Sequence, residues 1–330
     1  MVHPIWKDYF VNLGTAESVE FVILHNGSVV YRGKSWKRPG QSDNIVRIND
    51  ICADYILESS SLTGGGIAEF QVYIDTGMSM QLKDTILFLN DWSYDYAYNP
   101  ETMGLSFPVI NRIDNRQWLV FTAYDANTIT ARIKLADGST FDVFVPVKIS
   151  DDFNNDFNYD FSQSVKSMQV GTAVFNLSRW DNIDSVIVED KEFKVVSGCN
   201  RYALYYVNAY GGWDSLLIEG NYSEADNLVR HTRETEYDNR SIQNRGVYNY
   251  VNEIVKTMTL HTSWLSDDES SRMHHLLNST NVYLGDLVTG QMIPVILTDT
   301  KTDYKTYKGN GGKLVNYTIN VTIAQERIRR

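Results

Sequence analysis

The sequence predicts a mainly β protein of two sandwich- or barrel-like domains, with one short helix in the second. Three observations carry that expectation. The 330 residues include 21 tyrosines and 7 tryptophans but only 6 prolines, and aromatic and β-branched residues favour strands. Short apolar runs broken by turn residues recur through the first half, as in β-sandwiches and barrels. The segment from Trp264 to Ala324 holds one capped helix, polar turns and a long alternating strand, a layout suited to assembly more than to reaction.

The elements follow in order. Glu20 to His25 and Ser28 to Arg32 flank Asn26-Gly27. A type I′ turn needs positive φ at both central residues, which Asn and Gly tolerate best. This turn sets Ile23 against Val30 and Leu24 against Val29, with both faces apolar and so expected to be covered. Weaker strands are expected at Ile67 to Ile74, Thr85 to Leu89 and Gln117 to Tyr124. A second hairpin spans Ile129 to Val147. A two-residue turn at Asp137-Gly138 would oppose Ile133 and Asp142. A three-residue loop with Gly138 left-handed pairs Ile133 with Phe141, Ala131 with Val143 and Arg132 with Asp142, so register favours a bulged hairpin.

Residues 151–163 (DDFNNDFNYDFSQ) lack a core period and read as a linker between a 1–150 domain and a 164–330 domain. In the second domain, strands are expected near Lys166 to Phe175, Ser185 to Val188, Tyr202 to Val207, Trp213 to Ile218 and Val247 to Thr262. Residues 221–245 are charged and weakly patterned, and read as a protruding arm. The helix is 267–277: Ser266 at the N-cap and Glu269 three positions on form a capping box, and Met273, Leu276 and Leu277 form its apolar face. The last strand places Val315, Tyr317, Ile319, Val321 and Ile323 on one face.

Composition bounds function. The formal net charge of −11 disfavours sequence-independent nucleic-acid binding by the whole chain and suits a soluble free subunit. Cys52 and Cys199 offer neither a disulfide framework nor a zinc site and read as two ordinary buried thiols. Met1 to Phe10 lacks an apolar signal region and no run reaches membrane-spanning length. Synthesis in a cytoplasm is expected.

Chemistry is sparse. Asp152, Asn154, Asp156, Asn158 and Asp160 recur at alternate positions like oxygen ligands of a calcium loop. Phe157 stands where the loop needs Gly and Gln163 where it needs Glu, which favours a solvated linker. His274 and His275 point about 100° apart on a helix and do not share one metal. Nucleophile-elbow, P-loop and dinucleotide fingerprints are absent. Hence no catalytic, cofactor or metal residue is assigned. Trp92, Tyr94, Tyr96 and Tyr98 could stack on sugars, pack on themselves, or lie against a neighbouring subunit. Arg230, Arg233, Arg240 and Arg245, interleaved with Glu234, Glu236 and Asp238, suit either a ribbon pairing across a subunit boundary or a solvated loop. Tyr210-Gly211-Gly212-Trp213 is a turn carrying either an interfacial aromatic anchor or a core tryptophan.

Spaced motifs add a family resemblance. They include Ile5-Trp6-Lys7-Asp8-Tyr9-Phe10, Tyr31-Arg32-Gly33-Lys34, Lys37-Arg38-Pro39-Gly40 and Ile48-Asn49-Asp50-Ile51. Tyr205 to Asp214 (YYVNAYGGWD), Pro294-Val295, Tyr304-Lys305 and the strand from Asn316 to Ala324 complete them. Together they resemble tail structural proteins of phages of gut Bacteroidales, the crAss-like phages included. The resemblance implies a virion component of the tail hub, distal tail or baseplate, a symmetric ring of copies with other tail proteins as partners. It implies no enzymatic activity, no cofactor and no membrane, and leaves room for indirect contact with genomic DNA in a channel. It also implies a barrel-plus-helix fold, like that of phage tail-tube and distal-tail proteins, for the closing part. The interface candidates are then Tyr210, Trp213, Arg230, Arg233, Tyr237, Arg240, Trp92 and Tyr96. The alternative is a carbohydrate-binding β-sandwich used in host recognition, motivated by Trp92 to Tyr98.

Overall fold

A computed structural model describes residues 2–59, 67–77, 79–90, 111–124, 128–146, 148–149, 170–188, 191–196, 198–234, 247–299, 315–324 and 327–329. The protein is mainly β, with five sheets among the described residues. None of these closes into a barrel, which corrects the barrel expected for the second half. The chain divides into two compact units. The first is Met1–Val196, Tyr206–Ser215 and Asn278–Asn281; the second is Ser197–Tyr205, Leu216–Leu277 and Val282–Arg330.

The first unit begins with β1 (Val2–Pro4), β2 (Phe10–Gly14), β3 (Ser18–His25), β4 (Ser28–Trp36), β5 (Asn44–Arg47), α1 (Asn49–Ser59), β6 (Ile67–Asp75) and β7 (Met80–Leu89). Five of these strands form a sheet in the order β1-β7-β6-β3-β4, and β2 pairs with β5. The β3–β4 turn has Asn26 at φ 50° and Gly27 at φ 73°, as its sequence demands. Leu24 faces Val29, but a bulge then sets Ile23 against Tyr31 instead of Val30. The expected cover on both faces holds for β3, where the successive residues Phe21, Val22 and Ile23 are all buried, but not for β4, an edge strand with Val29 56% exposed.

Helix α1 was not expected. Its signal is the spacing of Ile48, Cys52 and Ile56, all buried with Phe21, Phe70 and Phe88 in one core. Ile51 and Tyr55 broaden the apolar stripe and blur its period.

The same unit continues with β8 (Asn111–Ile113), β9 (Trp118–Tyr124), β10 (Thr128–Leu135), β11 (Thr140–Pro146), β12 (Lys148–Ile149), β13 (Val170–Asn176), β14 (Ile183–Val188) and β15 (Lys191–Val195), and a second core draws on β8, β9, β10, β11, β14 and β15. The sheets run β11-β10-β14-β15-β8 and β12-β13-β9. The bulged hairpin has the register its side chains require: Ile133 faces Phe141, Ala131 faces Val143 and Arg132 faces Asp142, with Gly138 at φ 85°. Arg132 Nε donates to Asp142 Oδ1 at 2.9 Å. The expected linker 151–163 lies outside the described residues. Strands from both sides of it pair in two sheets, β10 with β14 in one and β9 with β13 in the other. The observed division therefore falls near Val196 and not at 151–163. A run of Asp and Asn marks solvated chain, but it does not say whether the flanking strands return to a common sheet.

The remaining elements are β16 (Tyr202–Val207), β17 (Trp213–Ile218), β18 (Tyr222–Glu234), β19 (Val247–His261), α2 (Asp267–Leu277), β20 (Val282–Asp286), β21 (Gln291–Leu297), β22 (Thr318–Ile323) and β23 (Arg327–Arg329). They form a sheet in the order β17-β16-β20-β21-β22-β19-β18, with β23 also pairing with β19. The β20–β21 hairpin was read from sequence only as polar turns. Its strands are short, and the first includes Gly285, where the Tyr205 ring lies in the place of a Cβ. Regular pairing in the last strand starts at Thr318, and Val315 instead makes an isolated bridge to Leu265.

Helix α2 has the bounds expected from its capping box and apolar face. Ser266 N–H donates to Glu269 Oε2 at 2.8 Å, and Glu269 N–H donates to Ser266 Oγ at 3.3 Å. Two of the unpaired amide donors at the helix start are thereby satisfied. The replacement Ser266→Ala should cost about 1 kcal/mol, seen as a lower urea midpoint with an unchanged slope.

Candidate interaction surface

In the second unit the most conspicuous feature is the β18–β19 ribbon. Thirteen residues of β18 pair antiparallel with β19, from Tyr222 opposite Leu260 to Glu234 opposite Val247. At about 3.3 Å per residue the strand is about 43 Å long, well beyond the usual strand. Flanking strands support only part of β19: β22 lies against Thr257–His261 and β23 against Asn252–Ile254. The pairing skips Tyr250, which is the extra residue of a β-bulge between His231 and Thr232.

The root of the ribbon is held by a polar clamp. Tyr222 and Glu224 lie on one face of β18 because strand side chains alternate. Tyr202 of β16 stacks edge-on against Tyr222 at 4.9 Å and donates its hydroxyl to Glu224 Oε1 at 3.0 Å. Lys256 Nζ sits 2.5 Å from Glu224 Oε2. Arg201 donates to the Tyr222 hydroxyl at 3.0 Å, lies over both tyrosine rings, and is 3.6 Å from Asp286. Burial, with the Glu224 hydrogen bond, pushes the Tyr202 phenol up to about 12. The hydrogen bond from Lys256 holds Glu224 below the usual carboxylate range.

Beyond this clamp the ribbon is exposed. Every residue of β18 is exposed except His231, which is half-buried and paired with Glu253 at 3.0 Å. Large apolar groups stand on both faces, Leu228 (51% exposed) on one and Val229 on the other, with Val247, Tyr248 and Tyr250 further out. The strand is also polarised: Glu224 and Asp226 lie in its first half, Arg230, His231 and Arg233 in its second, which ends on Glu234.

The Tyr210–Trp213 turn belongs to the first unit. Asn208 Oδ1 accepts from Tyr210 N–H at 2.9 Å and from Gly212 N–H at 3.1 Å. Gly211 has φ 82°, and a Cβ there would press on Leu89. The turn is fixed from within, and Trp213 is 1% exposed. That corrects the assignment of Trp213 as an interface anchor: it is a core residue. Tyr210 is half-buried. Two further buried polar pairs lie in the same unit. Arg116 grips the Asp114 carboxylate through Nε at 2.9 Å and Nη2 at 3.0 Å, and Gln117 Nε2 donates to Ser215 Oγ at 2.8 Å.

Of the other expected interface residues, Arg230 and Arg233 are exposed on β18. Trp92, Tyr96, Tyr237 and Arg240 lie outside the described residues, as do Asp152 to Asp160. Of the expected arm 221–245, Tyr222–Glu234 forms one strand of the ribbon, and residues 235–245 lie outside the described residues. The ribbon's clamp was missed because Tyr202, Tyr222, Glu224 and Lys256 come from three strands, and only the i, i+2 pairing of Tyr222 with Glu224 was visible in sequence.

The remaining thiol and imidazole groups named in the sequence analysis are not brought together into one cluster. Cys52 is buried, which pushes its thiol up to about 12, whereas Cys199 is exposed, not buried as expected. His275 is buried on α2 and His274 exposed. Among the described residues no cluster of three or more His, Cys, Asp or Glu is placed to hold a metal ion, and no helix is long and apolar enough to cross a membrane. Comparison with known proteins found no matching family model and no matching curated protein.

Three outcomes are expected. Trp213→Ala should cost about 3–5 kcal/mol, as for other buried large aromatics, measured by chemical denaturation, while Tyr210→Ala costs far less. Glu224→Gln should speed amide hydrogen exchange at the root of β18 without moving the global unfolding midpoint by a comparable amount. Burial lowers the His275 pKa from 6.5 to about 4, so the unfolded chain takes up its proton first. Stability should be constant above about pH 6.5 and fall, by up to about 3 kcal/mol, as pH drops towards 4. His275→Gln should flatten that slope in urea titrations across this range.

Proposed function

We propose that the chain is a structural virion protein of a phage tail, a component of the tail hub or baseplate that acts by homo-oligomeric assembly and by contact with other tail proteins. The ring of copies implied by the family resemblance is part of this proposal, as is a role in connecting or lining the DNA conduit. The observation that carries the reading is the β18–β19 ribbon. It is long, clamped at its root, apolar on both faces beyond the root and open along one edge. A catalytic site concentrates perturbed groups in a cleft; among the described residues they are dispersed over the ribbon clamp, packed cores and separate surface pairs such as Arg132–Asp142. Exposed apolar surface and open strand edges favour joints between chains.

The decisive measurement is mass spectrometry of purified phage particles, combined with light scattering and electron microscopy of the isolated protein. The chain is expected in the particle, at a stoichiometry of several copies, and as discrete oligomers in solution or on addition of a tail partner. A strictly monomeric protein that never enters virions rules the proposal out.

A further inference from the structure

We infer that β18 docks, along its outer edge, against β18 of a second copy, antiparallel and centred on Leu228. The inference rests on the homo-oligomeric reading above and names the joint. β18 ends the sheet, with no strand beyond it among the described residues. It has none of the usual edge protection from Pro or Lys, since Tyr222–Glu234 contains neither. The one bulge at the ribbon adds its residue to β19, so β18 itself presents an uninterrupted edge.

Sequence polarity selects the occupant. In an antiparallel pair of two copies centred on Leu228, Asp226 of each copy lies opposite Arg230 of the other. Among the described residues neither Asp226 nor Arg230 has an ion-pair partner within the chain. Opposite charges directly across a strand pair are favourable, and like charges unfavourable. Asp226 already faces Lys256 and Leu228 already faces Ile254 across the ribbon. The paired ribbons therefore continue two rows: Lys256, Asp226 and then Arg230 of the second copy, alternating in sign; and Ile254, Leu228 and then Leu228 of the second copy, all apolar. A parallel pair in register would instead stack each charge on itself. Shifting the antiparallel centre by one residue to Val229 sets Glu224 against Glu234 and Leu228 against Arg230. Shifting it to Asn227 sets Asp226 against Leu228 and brings Arg230 to Glu224, which is already held by Lys256 and Tyr202.

Such a contact is isologous: the same patch serves on both copies, so it joins them in twos. It leaves closure of a ring to other edges and would join copies, or rings of copies, head to head. The clamp around Glu224 fixes where each ribbon starts and so fixes the centre of the pair.

The test uses the full-length chain with the exposed Cys199 replaced by Ser. Leu228→Cys is oxidised mildly and compared with Val229→Cys, and sedimentation velocity follows Asp226→Arg, Arg230→Asp and the doubly exchanged chain. Expected are a covalent dimer through residue 228 far in excess of that through 229, a loss of association of at least tenfold for each single exchange, and recovery in the double exchange. Oligomers that form without the 228 crosslink and ignore the charge exchanges overturn the β18 joint while leaving homo-oligomerisation intact. A crosslink from 228 to a different virion protein likewise overturns the second copy as occupant. A chain that is monomeric throughout and absent from particles removes the underlying reading as well.

Discussion

A peptide group at a strand edge must find a partner in protein or in water, and that requirement organises this molecule. Within the first unit the strands pair in three sheets and one two-stranded pair, with edge strands such as β4, and α1 seals the core behind β6. In the second unit a thirteen-residue strand, β18, ends the sheet, with no strand beyond it among the described residues. Everything distinctive about the surface follows from that strand. The clamp of Tyr202, Glu224, Lys256 and Arg201 is needed because an isolated two-stranded ribbon is marginally stable in water. Anchoring its root to β16 converts a floppy hairpin into an oriented one.

Satisfaction of buried polar groups is the second theme. Asn208, Asp114, Gln117 and Ser215 are all buried, and each has a hydrogen-bond partner within the same unit. These groups fix turns; they do not gather substrate. The Gly211 turn shows the division of labour. The backbone needs positive φ and a missing Cβ, Asn208 holds both flanking amides, and Trp213 is delivered inward as core.

Local rules were legible in the sequence where one short segment decides the outcome. The Asn26-Gly27 turn, the Gly138 bulge and the Ser266–Glu269 box each depend on a few adjacent residues, and each is present as read. Strands Tyr202–Val207 and Trp213–Ile218 were also legible from their apolar runs. Failures arose where the answer lies between distant segments. The Ile23 bulge depends on β6 as well as β4, since Ile23 faces Val72 on its other side. Helix α1 hides its period among flanking apolar residues, and the division near Val196 depends on β14 returning to β10. The arm was legible as a charged excursion from the core. Its partner strand was read separately, and the clamp was not read at all.

The bulge at Tyr250 has a geometric effect larger than its size. Below it, even-numbered residues of β19 share a side with even-numbered residues of β18; above it, the odd ones do. Tyr248 is thereby turned away from the side occupied by Leu228 and Ile254 and set beside Arg233 and opposite the hydrocarbon row. A single inserted residue thus acts as a switch of handed address, giving the stem and the tip of one hairpin different chemical fronts and allowing them to meet different neighbours at once.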